Sequence, residues 1–354
     1  MRADTRKQLE ILKAGNPPDK NAGIFGASIC DEDAGLVLLP VPFDLTTSYG
    51  RGTAKGPRAI IEASHQLDLY DQAFEKPYMV GIKMLDEDQS IKGLNKSCLA
   101  SANRVIAAME GEGELSDVDL AIVNEASTSV NDKVCEIARK YLSLDKVVAL
   151  VGGDHSTPLG LMKALSEKYD DYGVLHLDAH HDLRVAYEGF TYSHASIMYN
   201  AINEIPQISK LISIAIRDYC EDEMNIAKSS DKVETFYDRE IKNRLFEGET
   251  WKSIVDEIIS KLPQNVYLSF DIDGLDPFNC PTTGTPVAGG LSVDQVYYML
   301  EKLALSGKKI ISFDLTEVAP NSDNEWDANV GARMLYKMCG ALVKSQSLKY
   351  LGDI

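Results

Sequence analysis

The feature that most constrains this chain is a regular alternation of short apolar runs with longer amphipathic segments. From residue 146 onward, apolar runs at 146–151, 173–177, 211–216, 233–237, 266–270 and 309–314 alternate with helix-like segments at 158–168, 196–202, 251–262, 293–305 and 329–346. Runs of this length, rich in Val, Ile and Leu, are short for helices and suit strands buried on both faces. Strands alternating with helices imply a parallel sheet covered on both sides. Upstream, residues 36–41, 78–84 and 118–123 read as further strands, and 58–66, 96–109 and 130–142 as helices, the first opened by Pro57. No repeat, low-complexity tract or linker interrupts the pattern. The expectation is an α/β fold, a single three-layer α/β/α domain over residues 36–354 with a central parallel sheet. Residues 1–35 read as an N-terminal arm outside the main core.

In such sheets ligands bind at the carboxyl ends of the strands, and four polar clusters fall there. Gly152-Gly153-Asp154-His155-Ser156 follows one run, its glycines allowing a sharp turn that presents His155. Asp178-Ala179-His180-His181-Asp182 follows the next. Successive side chains of an extended segment point to opposite sides, so Asp178, His180 and Asp182 can converge while His181 points away. Asp271-Ile272-Asp273-Gly274 follows a third run, and Asp314-Leu315-Thr316-Glu317 a fourth. The Asp-x-Asp-Gly string resembles the start of a calcium loop, but the later bidentate Glu is missing. His155, Asp178, His180, Asp182, Asp271 and Asp273 make six ligands, four of them carboxylates. That is too many for one tetrahedral zinc and suits two divalent ions of manganese type bridged by carboxylates. Such a pair lowers the pKa of a shared water.

Charge and cysteine usage narrow the function further. Fifty-four acidic against 36 basic residues give a formal charge of −18, so no basic stripe is available for nucleic acid. The same field attracts small cations. Six scattered cysteines without a CxxC pair read as reduced thiols. No apolar run reaches membrane-spanning length, and residues 1–13 lack the apolar core of a signal peptide. A cytoplasmic enzyme with neither nucleic acid nor membrane as partner is expected.

Taken together, the GGDHS, DAHxD and SFDIDGLDP segments at 152–156, 178–182 and 269–277 resemble the ureohydrolase family, which includes arginase, agmatinase and formimidoylglutamase. The resemblance runs from about residue 36 to the C-terminal helix and implies an arginase-like fold with two Mn2+ per chain, although Ni2+, Co2+ and Zn2+ use the same ligand types. It implies that His155 and Asp182 serve one ion and His180 and Asp273 the other, with Asp178 and Asp271 bridging. His194 falls at the family's proton-shuttling histidine, and Glu317 matches the acid that grips the guanidinium group. Catalytic roles thus go to His194, Glu317 and Asp182. A homo-oligomer, trimer or hexamer, is also implied.

Within the family, residues 42–57 and 283–290, and the run from Asp182-Leu183-Arg184 to Ser193-His194-Ala195-Ser196, are similar to agmatinase sequence. The implied reaction is hydrolysis of agmatine to putrescine and urea, a step of polyamine biosynthesis. Aminopropylagmatine, guanidinobutyrate, guanidine, arginine and formimidoylglutamate are the alternative substrates. The substrate tail is expected to meet loops 43–56 and 183–193, which offer Asp44 and Glu188 and, as cations, Arg51, Lys55 and Arg184. Arg184 is a candidate receptor for a tail carboxylate, against the plainer reading of an ion pair with neighbouring acids. Ser156 and Thr157 read as caps of the helix at Pro158, His176 as a satisfied core residue, and His65 as lying on a helix flank. A one-zinc deacetylase lacks its catalytic histidine pair here, and a non-catalytic metal-binding homologue would be expected to lose a ligand position.

Overall fold

The computed structural model of the chain describes residues 3–13, 15, 18, 19 and 21–351. Eight strands form one parallel sheet: β1 (Leu36–Val41), β2 (Ile82–Met84), β3 (Val147–Gly152), β4 (Tyr172–Leu177), β5 (Ile208–Ile216), β6 (Val233–Tyr237), β7 (Asn265–Asp271) and β8 (Lys309–Thr316). Their order across the sheet is β2-β1-β3-β8-β7-β4-β5-β6, with every pairing parallel. After β3 the chain skips two positions to lay down β4, β5 and β6, and later returns to fill the gap with β7 and β8. The four central strands therefore end side by side, and each carries one of the four polar clusters.

Eleven helices are seen among the described residues: α1 (Ala3–Lys13), α2 (Gly56–Ser64), α3 (Gln89–Met109), α4 (Asp117–Leu142), α5 (Leu159–Ser166), α6 (Ile197–Glu204), α7 (Glu221–Ser229), α8 (Asp238–Phe246), α9 (Trp251–Lys261), α10 (Val293–Leu305) and α11 (Trp326–Gln346). α3, α4, α5 and α6 pack in succession, as do α2, α11, α10 and α9, giving the three-layer α/β/α arrangement. β1, β4 and β7 bury nearly every side chain, as strands covered on both faces must.

Three local expectations are corrected. Residues 118–123 lie in the first turns of α4, not in a strand. The Ser116 side chain accepts from Asp119 N and starts the helix, and only one face is buried: Val123 is inside while Val118 is 70% exposed. Residues 78–84 split at Gly81, whose φ of +74° ends a single 3-10 turn before the short β2. Residues 24–34, placed by sequence in an arm outside the core, bury Ile24, Phe25, Ala27 and Ile29 in it, with Phe25 edge-on to Tyr336 of α11 at 4.8 Å.

Candidate metal and active site

β3 ends at Gly152-Gly153, and the backbone doubles so tightly against residue 43 that a Cβ on Gly153 would lie 1.9 Å from the Phe43 carbonyl oxygen. That turn delivers His155 into the sheet's carboxyl edge. There its Nδ1 lies 3.0 Å from Asp178 Oδ2, 3.0 Å from Asp182 Oδ2 and 3.5 Å from Asp271 Oδ2. On the other flank of Asp178, His180 Nδ1 lies 3.4 Å from Asp178 Oδ1 and 3.1 Å from Asp273 Oδ2. Asp178 is thus shared between an inner group (His155, Asp182, Asp271) and an outer group (His180, Asp273). All six sequence-derived ligands come together, four as carboxylates with which no lysine or arginine among the described residues pairs.

Divalent cations fit this donor set. Oxygen and nitrogen ligands at about 2.1 Å in octahedral array sit about 3 Å from one another, the spacing found here. The electrostatics agree. Burial and then the Asp178 charge push Asp182 up to about 6, and burial with Asp273 and Asp178 pushes Asp271 well above the usual carboxylate range. Burial alone would lower His155 and His180, but the surrounding aspartates hold both well above an ordinary histidine. A cluster that draws protons in this way has unneutralised negative charge that bound cations offset. Asp182 and Glu317 both adopt left-handed backbone, φ 54° and 60°, a strain of the kind that gathers at functional sites.

Beneath the cluster runs a polar rung that sequence reading missed. Ser213, His176, Ser269 and Asp314 lie in register across β5, β4, β7 and β8, all fully buried. Ser213 Oγ is 3.2 Å from His176 Nδ1, and His176 Nε2 is 2.9 Å from Asp178 Oδ2. Ser269 Oγ sits 2.9 Å from His155 Nε2 and donates to Asp314 Oδ1 at 3.1 Å. Of the four, His176 alone was legible, as the lone polar residue of β4 and a satisfied core histidine.

Glu317 is buried beside the inner group, where its Oε1 accepts from the backbone N–H of His155 at 2.9 Å. Its Oε2 has no partner. Burial and the nearby Asp154 carboxylate hold Glu317 well above the usual range, so a cationic partner would stabilise its charged form. His194 lies across the cavity, with Nδ1 3.4 Å from both Thr46 Oγ1 and Ser193 Oγ. Burial, followed by the His180 charge, lowers its pKa to about 4.

A cavity of about 430 Å3 is lined by His180, Asp182 and His194, by Tyr49, Tyr187 and Tyr219, and by Arg184, Asp218 and Glu223. Arg184 Nε is 3.7 Å from Glu223 Oε2 and its guanidinium lies 4.7 Å from the Tyr187 ring. Both Glu223 oxygens also accept backbone N–H bonds, from Leu183 and Cys220. Asp218 is exposed and its carboxylate is not so engaged. The expected tail acids are elsewhere: Asp44 holds its own loop through Asn95, Gly52 and Ala54, and Glu188 does not line this cavity. Asp218, which follows β5, was missed, although an acid just after an apolar run was the same signal used for the other clusters. Ser156 and Thr157 do not cap α5 through their side chains; Ser156 Oγ donates to Asp154 Oδ1 and Thr157 Oγ1 to the Asp154 carbonyl. His65 contacts the Gly23 carbonyl oxygen at 3.0 Å.

A parallel α/β sheet whose central strands end in a histidine–carboxylate cluster defines the class: an α/β protein whose site residues fit divalent cations. The Arginase family model matches residues 34–340. The chain is similar to an N(1)-aminopropylagmatine ureohydrolase of Thermus thermophilus, 31% identical over 310 residues, covering 87% of this chain and 90% of the relative. It is also similar to an agmatinase of Bacillus subtilis, 30% identical over 315 residues, covering 88% and 93%. In fold it is similar to the crystal structure of a hypothetical agmatinase from Burkholderia thailandensis, with a TM-score of 0.70, 24% identity and 94% coverage of each chain. The chain belongs to the arginase family. It is an arginase-family hydrolase.

Proposed function

We propose that this enzyme hydrolyses a guanidino compound carrying an amine tail, agmatine or an aminopropylated agmatine, to urea and a primary amine. The names of the curated relatives support the pair without separating its members. The observation that carries the reading is the lining of the cavity. Its cation, Arg184, is drawn to Glu223 and stacked on Tyr187, whereas Asp218 and three tyrosine rings are disposed to meet a positive tail.

In this reading His155 and Asp182 would hold an inner Mn2+ and His180 and Asp273 an outer one, with Asp178 shared between them; Asp271, expected from sequence to be shared as well, lies against His155 of the inner group. Two divalent cations there would lower the pKa of a shared water enough for hydrolysis at neutral pH. Asp182 orients that water. Glu317 offers its unpartnered Oε2 to the planar guanidinium by charge-assisted hydrogen bonding. Burial, followed by the His180 charge, favours the neutral form of His194, and its Nδ1 faces Thr46 and Ser193, which leaves Nε2 to take up a proton and pass it to the departing amine. Six free cysteines suit a reducing cytoplasm.

A panel of guanidino compounds tests the reading. With the metal-loaded chain, agmatine or aminopropylagmatine should exceed arginine in kcat/KM by at least about two orders of magnitude, as expected where buried polar groups would be left mispaired. Preference for arginine or guanidinobutyrate, with loss of that activity in Arg184→Ala, would overturn it and make Arg184 a carboxylate receptor.

A further inference from the structure

The rung under the cluster is built from four fully buried polar side chains on four adjacent strands, each hydrogen-bonded to a neighbour, with Asp314 Oδ2 the atom left without a partner. Its hydrogen bonds have a direction. Asp178 accepts only, so His176 donates from Nε2 to it and uses Nδ1 to accept from the Ser213 hydroxyl. On the other arm the Ser269 hydroxyl donates to Asp314, so it accepts from His155 Nε2–H. That assignment leaves the His155 Nδ1 lone pair facing Asp178 and Asp182. Although His176 lies within reach of the inner donors, both its nitrogens are engaged, which makes it a support and not a ligand.

We propose that Ser213, His176, Ser269 and Asp314 are the positioning residues of the inner cation. One arm fixes the His155 ring through Ser269 and Asp314, and the other fixes Asp178 Oδ2 through His176 and Ser213. The His180 ring receives no such support: its contacts are to Asp178 and Asp273, and none is to the rung. The rung therefore bears on the inner site more than on the outer one, through His155 on one arm and through the shared Asp178 on the other. The inference rests on the two-cation reading given above.

The test is calorimetric titration of the metal-free full chain with Mn2+, for wild type, Ser269→Ala and Ser213→Ala. Each variant removes one small hydroxyl and leaves the strand's volume nearly unchanged. In Ser269→Ala one of the two sites should weaken by roughly 10–100-fold, the usual cost of losing a partner behind a metal ligand, with the second site unchanged; in Ser213→Ala, which acts through the shared Asp178, one site should weaken more than the other. Ser269→Ala should be the more severe, because it cuts the direct contact to His155. Equal weakening of both sites would indicate general loosening and overturn the inference, as would unchanged affinities in both variants. A wild-type chain that binds fewer than two ions would instead strike the two-cation reading itself.

Discussion

The two halves of the cluster share Asp178 yet are built differently. On the inner side the His155 side chain is 1% exposed, its ring is held at both nitrogens, and Asp182 and Asp271 are nearly as deep. On the outer side the His180 side chain is 22% exposed, meets Asp178 and Asp273, and lines the cavity. Depth follows position: His155 and Asp182 gather against Asp271, the last residue of β7, whereas His180 stands on the other flank of Asp178. The difference teaches a division of labour: a preorganised inner half, and an outer half open to substrate and proton exchange.

The largest expected effect breaks the comparison. Asp178 contacts His155 and His176 through Oδ2 and His180 through Oδ1, so it belongs to both halves. Asp178→Asn should reduce both ion sites together and leave no measurable urea release, with the far-ultraviolet circular dichroism of the fold retained. Elemental analysis showing one ion still bound at full strength would mean that the halves are independent.

A smaller effect sharpens it. His194 faces the outer half, and its lowered pKa owes its second-largest contribution to His180. His194→Ala should lower kcat by roughly 10²–10⁴-fold, the usual span for a general acid–base group, while metal content measured by elemental analysis stays the same. Loss of an ion in this variant would move His194 from proton transfer to ligation.

How much of this could be read from sequence follows from what each signal encodes. The convergence of the six side chains was legible because acids and histidines at alternate positions after a buried run leave few other uses. The sheet was legible because apolar runs of strand length are unlike the helices around them. The false strand at 118–123 shows the limit: an apolar stretch does not reveal which of its residues face solvent, and Val118 does. Asp44 shows another. Its position in a substrate-side loop was readable, but not that Asn95, Gly52 and Ala54 would consume both of its oxygens. The rung was hidden for a different reason. Registry across β5, β4, β7 and β8 joins residues far apart in the chain, and a single sequence carries no sign of that register.

The smallest expected effect measures the asymmetry directly. If burial and support make the inner half the tighter one, limiting chelator should remove ions in two steps, the outer first. Partly stripped enzyme, holding one ion per chain, should lose turnover because the water-activating pair is broken. Added Mn2+ should restore activity along a single hyperbolic curve that reports the outer site alone. An affinity gap of about tenfold or more is expected, since losing one supporting contact behind a ligand is commonly worth that much and the His155 ring is backed by Ser269 and Asp314, whereas the His180 ring has no such side chain behind it among the described residues. Removal of both ions in one step, with sigmoidal recovery, would show that the shared Asp178 couples the sites more strongly than their surroundings separate them.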